Sequence, residues 1–438
     1  MRKFLSFILS VMILVTVFSS VSYGAFSSDN SITSAKTVTS SAKLIYSKKF
    51  GANYKNSPAP PVVVKDTLVV ASGNHLYKLR LEDGSEIAKT EMMGSNMYSI
   101  VSPLYAEGKI FVLLDGGDIQ AFSYDTMESL WVYENPMGGQ SLTPIIYNYG
   151  YIYTGFWNGE AEKGSYICLS VEDEDTDSET EAKKARWTYN GKAGFYGATC
   201  AVTSKYVVFG RDDGERGSSG NSKIIALNKY TGELVSSVSV KGDVRSGVVY
   251  SKADNAFYTA SKAGYVYKLS LDNASGKLKK LKTYTASGSI TATPVIYKGR
   301  LYIGAQKGAK GELLVLNSEN LSKIYSGETV GYPQASALVS TGCEAETGKV
   351  YVYLTCNTKP GGITVFEDSA GQTEAVSRVL FTPDEAQSEY CISTISADEN
   401  GALYYKNDSG NIFAVGKSTE KISFIDMLIA FIKKLLGI

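Results

Sequence analysis

One histidine, three tryptophans and five cysteines are all that 438 residues contain of these types, and none of the cysteines forms a C-x-x-C pair. A hydrolytic triad would have a single imidazole to draw on, His75, which opens the run HLYKL and reads as a sheet-surface residue rather than a base. Cys168, Cys200, Cys343, Cys356 and Cys391 are too scattered for a zinc ribbon or a thioredoxin-type pair. Their odd number excludes a fully paired framework within one chain, and contexts such as YICLS and ATCAV predict buried free thiols. Excess charge is absent too. Forty-four basic side chains balance 44 acidic ones, and no basic stripe recurs, which excludes a dedicated nucleic-acid binder.

Tyrosine is abundant instead, with 31 copies, and tyrosine suits half-buried sheet surfaces. The chain is organised around the stretch from Ile290, ITATPVIYKGRLYIGAQKGAKGELLVLNSENLSKIYSGET, which reads as four short strands separated by turns. Its second strand, GRLYIGA, has counterparts in TLVVA (from Thr67), GKIFVLL (Gly108), GYIYTGF (Gly150), KYVVFG (Lys205), NAFYTA (Asn255), GKVYVYL (Gly348) and GALYYKN (Gly401). The third strands echo them, as in HLYKLRL, SKIIALN and GNIFAVG. A period of about 45 residues built from four strands is the signature of a propeller blade. The expected fold is therefore all-β, an eight-bladed β-propeller of four-stranded antiparallel blades over 43–417.

The last copy stops after three strands, whereas LIYSKKF (from Leu44) matches the outer-strand slot filled elsewhere by LWVYENP, RWTYN and KIYSGET. The N-terminal strand is thus predicted to complete the last blade and close the ring, which removes two open sheet edges. Upstream, 1–25 carries Arg2 and Lys3, an apolar run and a small-residue exit, the three parts of a secretory signal peptide. No cysteine follows that run, so no N-terminal lipid anchor is expected. Residues 26–42 are Ser/Thr-rich and read as a linker.

Two insertions interrupt the blades. EDEDTDSETE, 172–181, has Asp173, Asp175 and Asp177 at the spacing of a calcium loop's start, but Ser178 and Lys184 stand where the turn glycine and the bidentate glutamate belong, so a solvated acidic loop is expected. GRDDGERGSSGNSK, from Gly210, is a long hairpin loop whose glycines do not form a phosphate cradle. After Lys417 the pattern changes to a helical period. In 418–438, Phe424, Ile425, Leu428, Phe431, Ile432, Leu435 and Leu436 belong to a wide apolar arc opposite Asp426, Lys433 and Lys434. An amphipathic helix with that arc would pack on the propeller's rim, on a partner or in a membrane interface, and it is too short to span a bilayer.

The repeat T-P-V-I-Y-x-G-x-L-Y-I-G, followed by G-x-L-x-x-L-N and turns such as KYTGELVSS and LEDGSEIAK, resembles the quinoprotein-like repeat, the blade of pyrroloquinoline quinone enzymes and their non-enzymatic relatives. The resemblance runs from about Leu44 to Lys417. For an enzyme of that family it would imply a vicinal Cys-Cys ring, a tryptophan floor, calcium held by carboxylate and amide side chains, and an aspartate base. This chain has no adjacent cysteines, and Trp131 and Trp187 fall in the outer-strand slot. It is similar instead to the non-catalytic members, which bind proteins or ligands on the flat faces. No cofactor is expected. The function expected is an exported binding or scaffold module at the cell surface, with a protein or envelope ligand contacted through loops such as 172–181 and 210–223. The alternative is a propeller enzyme, either a quinone-dependent dehydrogenase or a glycan-active enzyme built on two carboxylates, although adjacent acids such as Asp212-Asp213 read as common loop acids and nothing in the sequence fixes a carboxylate spacing across the ring.

Overall fold

A computed structural model describes residues 31–96, 100–177, 180–217 and 220–417. The predicted signal peptide and the C-terminal segment with its apolar arc lie outside the described residues. Eight sheets follow one another around a ring. Blade 1 is Val62–Val64, Thr67–Ser72, His75–Arg80 and Glu86–Glu91, and blades 2 to 7 begin at the inner strands Leu104–Ala106, Ile146–Asn148, Ala201–Val202, Val249–Ser251, Val295–Tyr297 and Leu338–Ser340. Blade 8 supplies only Ser396–Ala397, Leu403–Lys406 and Asn411–Gly416 from its own stretch.

Its fourth strand is Lys43–Lys49, antiparallel to Asn411–Gly416, as the sequence predicts. Register identifies this strand as an outer one. Its pairing skips Ile45, just as the outer strands of blades 1, 4, 5 and 6 skip Ile87, Val235, Leu281 and Ile324 at a bulge.

Within a blade, alternate side chains serve opposite neighbours. In the third strand of blade 6, Leu314 and Leu316 pack toward blade 5, while Leu313 and Val315 pack toward blade 7. This is why GELLVLN is apolar without a gap, since both faces of the strand are covered. The described core falls into eight clusters, one at each blade interface. Each fully buried leucine or valine in them contributes roughly 2 kcal/mol. The turn Lys298-Gly299 holds both residues at positive φ, 43° and 81°, the primed hairpin geometry that a right-twisted strand pair requires.

Much of the tyrosine is explained by one slot. Tyr258, Tyr302 and Tyr404 are buried in the second strands of blades 5, 6 and 8. Each sends its hydroxyl into the next blade, to Ser318 O at 2.7 Å, Asp368 Oδ2 at 2.6 Å and Leu81 O at 3.3 Å. An aromatic body fills the interface while its polar tip finds a partner across it.

Two segments depart from expectation. Residues 31–42, read as a linker, are packed. Ile32–Thr33 runs parallel to Leu338–Ser340 on the inner edge of blade 7, Thr37 and Val38 are buried, and Tyr353 donates to Val38 O at 2.8 Å. The free backbone edge of an inner strand attracts this pairing, whatever the composition of the segment. The acidic insertion is solvated only in part. Glu174 to Asp177 are exposed, but Glu181–Ala182 forms a strand on the outer edge of blade 2, parallel to Trp131 and Val132. Lys183 makes this tolerable: its buried ammonium lies 3.3 Å from both Glu174 and Glu181 and donates to Glu172 O at 2.6 Å.

Candidate functional site

Strand direction divides the ring into two faces. The upper face carries the turns between second and third strands and the connections between blades, and the lower face carries the other two sets of turns. The insertions 172–181 and 210–223 follow the third and second strands of their blades, so their described parts lie on opposite faces and do not form one surface.

The axis of the ring holds a small cavity. Its volume is about 70 Å³, and it is lined by aliphatic residues such as Leu104, Ile145 and Val295, by Pro103 and Pro294, and by the hydroxyl residues Ser102, Thr199, Thr293 and Thr394. No described lining residue is ionisable. Ser31 reaches the same cavity, where Ser31 O accepts from Val339 N–H at 2.8 Å.

The chemistry is concentrated on the upper face, where blades 3, 4 and 5 meet. Asp212 closes the second strand of blade 4 and is fully buried. Its carboxylate accepts from Trp157 Nε1 at 2.8 Å and from Arg245 Nε and Nη2 at 3.0 and 2.8 Å. Arg245, in the connection from blade 4 to blade 5, also meets Asp243 at 3.2 Å and Glu160 at 3.6 Å. Lys262 sits 3.9 Å from the same two acids. The guanidinium lies 4.7 Å from the ring of Tyr196 and 5.7 Å from that of Trp157. Asp213 is a turn builder: it accepts from the backbone N–H of Glu215 at 2.8 Å and of Gly220 at 2.9 Å.

Burial pushes the Asp212 carboxyl up to about 6, even though Arg245 and Trp157 favour its charged form. The same contacts make it a poor general base. Both oxygens are occupied by donors inside the protein, so the pair Asp212-Asp213 is one structural acid and one loop acid. Sequence reasoning missed this network, since Trp157 and Arg245 are 55 and 33 positions from Asp212 and no local pattern links them.

The remaining sequence candidates are accounted for. His75 pairs with Ser72 and Glu91 within blade 1, its ring 6.0 Å from Tyr77. The five cysteines are free, and all but Cys343 are buried. Burial raises Cys168, Cys200 and Cys391 to about 12 and Cys356 to about 11, so these thiols are inert packing residues. The apolar residues Phe424 to Leu436 lie outside the described residues. No described helix is long and apolar enough to cross a membrane.

The sequence matches the signature of a family described as outer membrane protein assembly factor BamB over 34–161 and 220–428, more than half the chain. No curated protein matches it. Among solved structures, it is similar to BamB from Moraxella catarrhalis at 13% identity and a TM-score of 0.56, covering 86% of this chain and 99% of that one. It is also similar to the quinohemoprotein alcohol dehydrogenase of Comamonas testosteroni at 13% identity and 0.61, over 90% of this chain and 79% of that one. Sqt1 of Saccharomyces cerevisiae gives 10% identity and 0.62, over 85% and 98%. At such identities the likeness is one of fold.

Proposed function

The chain belongs to the family described as outer membrane protein assembly factor BamB, and from that premise we propose that it is an exported, non-catalytic propeller that binds protein partners at the cell surface. One observation carries the non-catalytic part. The axis on which a propeller enzyme would gather cofactor and substrate holds a small cavity whose described lining is aliphatic, proline and hydroxyl side chains with no ionisable group, and it is entered by the chain's own Ser31. The charged groups of the upper face are satisfied by one another, and the ion pairs of Asp212, Asp243, Arg245 and Glu160 stiffen the surface formed by blades 3 to 5. A stiff scaffold that displays loops suits recognition, because little ordering entropy is lost on binding.

The test is capture from native envelope by the full chain after brief cross-linking, with turnover measured beside it. A protein partner recovered in stoichiometric amount supports the reading. Oxidation of an alcohol panel after reconstitution with quinone and calcium, or glycan cleavage abolished by Asp212→Asn, would overturn it. The apolar arc at Phe424, Ile425, Leu428, Phe431, Ile432, Leu435 and Leu436 supports a further attachment through the C-terminal segment, to a membrane interface or a partner. Equal flotation with liposomes of the full chain and of a chain ending at Lys417 would remove the membrane option.

A further inference from the structure

The lower face carries an opening that the upper ion-pair network does not reach. A cavity of about 710 Å³ lies between the turns of blades 3, 4 and 5. That is the size of site that takes a drug-sized ligand or a short peptide. Its cations are Arg186, Lys229 and Lys252, and no described lining residue is an aspartate or glutamate. In a chain with no net charge, three cations without an acid among them make a local excess.

Lys229 is the centre of this excess. It is only 8% exposed, and its ammonium donates to Asn148 Oδ1 at 2.6 Å. Near it lie the rings of Tyr149 at 5.7 Å and Tyr230 at 5.9 Å, and the buried Cys168 thiol. No described carboxylate lies within 4.0 Å of it, in contrast to Lys183, Arg245 and Arg300. Burial without an anion depresses its proton affinity, and a buried cation of this kind gains when an anion arrives. Arg186 lines the same cavity, where it donates to the Tyr151 hydroxyl and stacks 4.6 Å from the ring of Tyr151.

Tyr149 gives a second, independent observation. It sits at φ 45° in the turn between the first two strands, a position held in other blades by Lys65, Glu107 or Lys298. A bulky aromatic in that region is strained. The strain is not repaid by packing, since Tyr149 is 83% exposed. Tyr230 is also exposed, on the neighbouring blade. The cavity thus has solvent-facing tyrosines at its mouth and a desolvated ammonium inside it.

We propose that this cleft binds an acidic peptide segment, with its carboxylate paired to Lys229 and Arg186 and its chain laid across Tyr149 and Tyr230. The inference rests on the protein-binding reading of the family and names where and what the propeller would grip. A peptide is favoured over an acidic sugar by the lining. Tyrosine, arginine and asparagine are the residues of protein-recognition surfaces, and Asn255 and Asn273 supply amides that suit peptide groups.

The experiment is a fluorescence-anisotropy titration of the full chain with labelled octapeptides of alternating alanine with glutamate, glutamine or lysine, and with a labelled oligogalacturonate. The glutamate peptide should bind, weaken with added salt, and lose affinity at least about tenfold in Lys229→Met. The glutamine and lysine peptides should bind at least about tenfold more weakly than the glutamate peptide. Lys252→Glu at the rim serves as a second variant that does not disturb the buried site, and it should weaken binding severalfold. Equal binding of the glutamine peptide, unchanged affinity in both variants, or tighter binding of oligogalacturonate than of peptide overturns the proposal. If envelope capture persists undiminished in Lys229→Glu, this site is wrong while the scaffold reading stands; if the wild type captures nothing, the scaffold reading itself has failed.

Discussion

The interface between blades 6 and 7 and the one between blades 3 and 4 use the same slots of the same repeat with different residues. At the first, Arg300 Nη1 donates to Asp368 Oδ1 at 2.9 Å, Tyr302 donates to Asp368 Oδ2 at 2.6 Å, and Arg300 Nη2 reaches Ala370 O and Gln372 O at 2.8 and 3.0 Å. At the second, register puts Tyr151 in the slot of Arg300, Tyr153 in that of Tyr302, and Leu227 in that of Asp368. The loss of one carboxylate leaves the nearby cations, Arg186 and Lys229, without a counterion, and there the crevice stays open as a cavity. The comparison teaches that an internal anion makes a staple of this slot, and that its absence leaves room for an external one.

Removing the anion from the staple should have the largest effect. Asp368→Ala leaves the Arg300 guanidinium buried and unpaired, and is expected to cost about 3–5 kcal/mol, read as a fall in the urea midpoint. The upper side of the open interface gives the next effect, through pH. The folded carboxyl of Asp212 titrates at about 6, above its unfolded value, so the folded state binds more protons between these limits. The stability that this proton contributes is fully present below the unfolded value and is lost as pH rises through about 6. Urea unfolding near pH 4 and pH 7.5 should therefore differ by about 2 kcal/mol less in Asp212→Asn than in the wild type.

A hydroxyl comparison is smaller. Tyr302→Phe removes a bond to a carboxylate and should cost about 1.5 kcal/mol, whereas Tyr153→Phe, which faces no carboxylate, should cost about 0.5 kcal/mol or less in the same assay. The smallest effect belongs to Lys229→Met. With no acid to orphan, the thermal midpoint should stay level or rise, and a fall of several degrees would mean that Lys229 is a staple after all.

The propeller was legible in the sequence because its information is repeated. Eight versions of one second strand outweigh the irregularity of any single blade, and LIYSKKF could be placed because it fills a slot that other blades had already defined. Features that occur once were not legible. Ile32–Thr33 and Glu181–Ala182 are two-residue strands whose pairing is set by the edge they meet, and no alternation fits in two residues. Asp212 reads as a solvated loop acid until Trp157 and Arg245 are brought to it. The lower cleft depends on a leucine where another blade has aspartate, and that substitution acquires meaning only when the two interfaces are superposed.

The sealing strand has a consequence for how the protein is made. Leu44 pairs with Val415, roughly 370 positions away, so among the described segments an early product of the ribosome must wait for nearly the last one before it can settle. Until then the nascent arc has one unpaired outer edge and one unfilled place, a state suited to chaperone capture and vulnerable to exchange between molecules. A circular permutant that carries residues 31–49 after residue 417 would bring clasp and eye together in time. It should refold faster than the natural order while reaching the same ring.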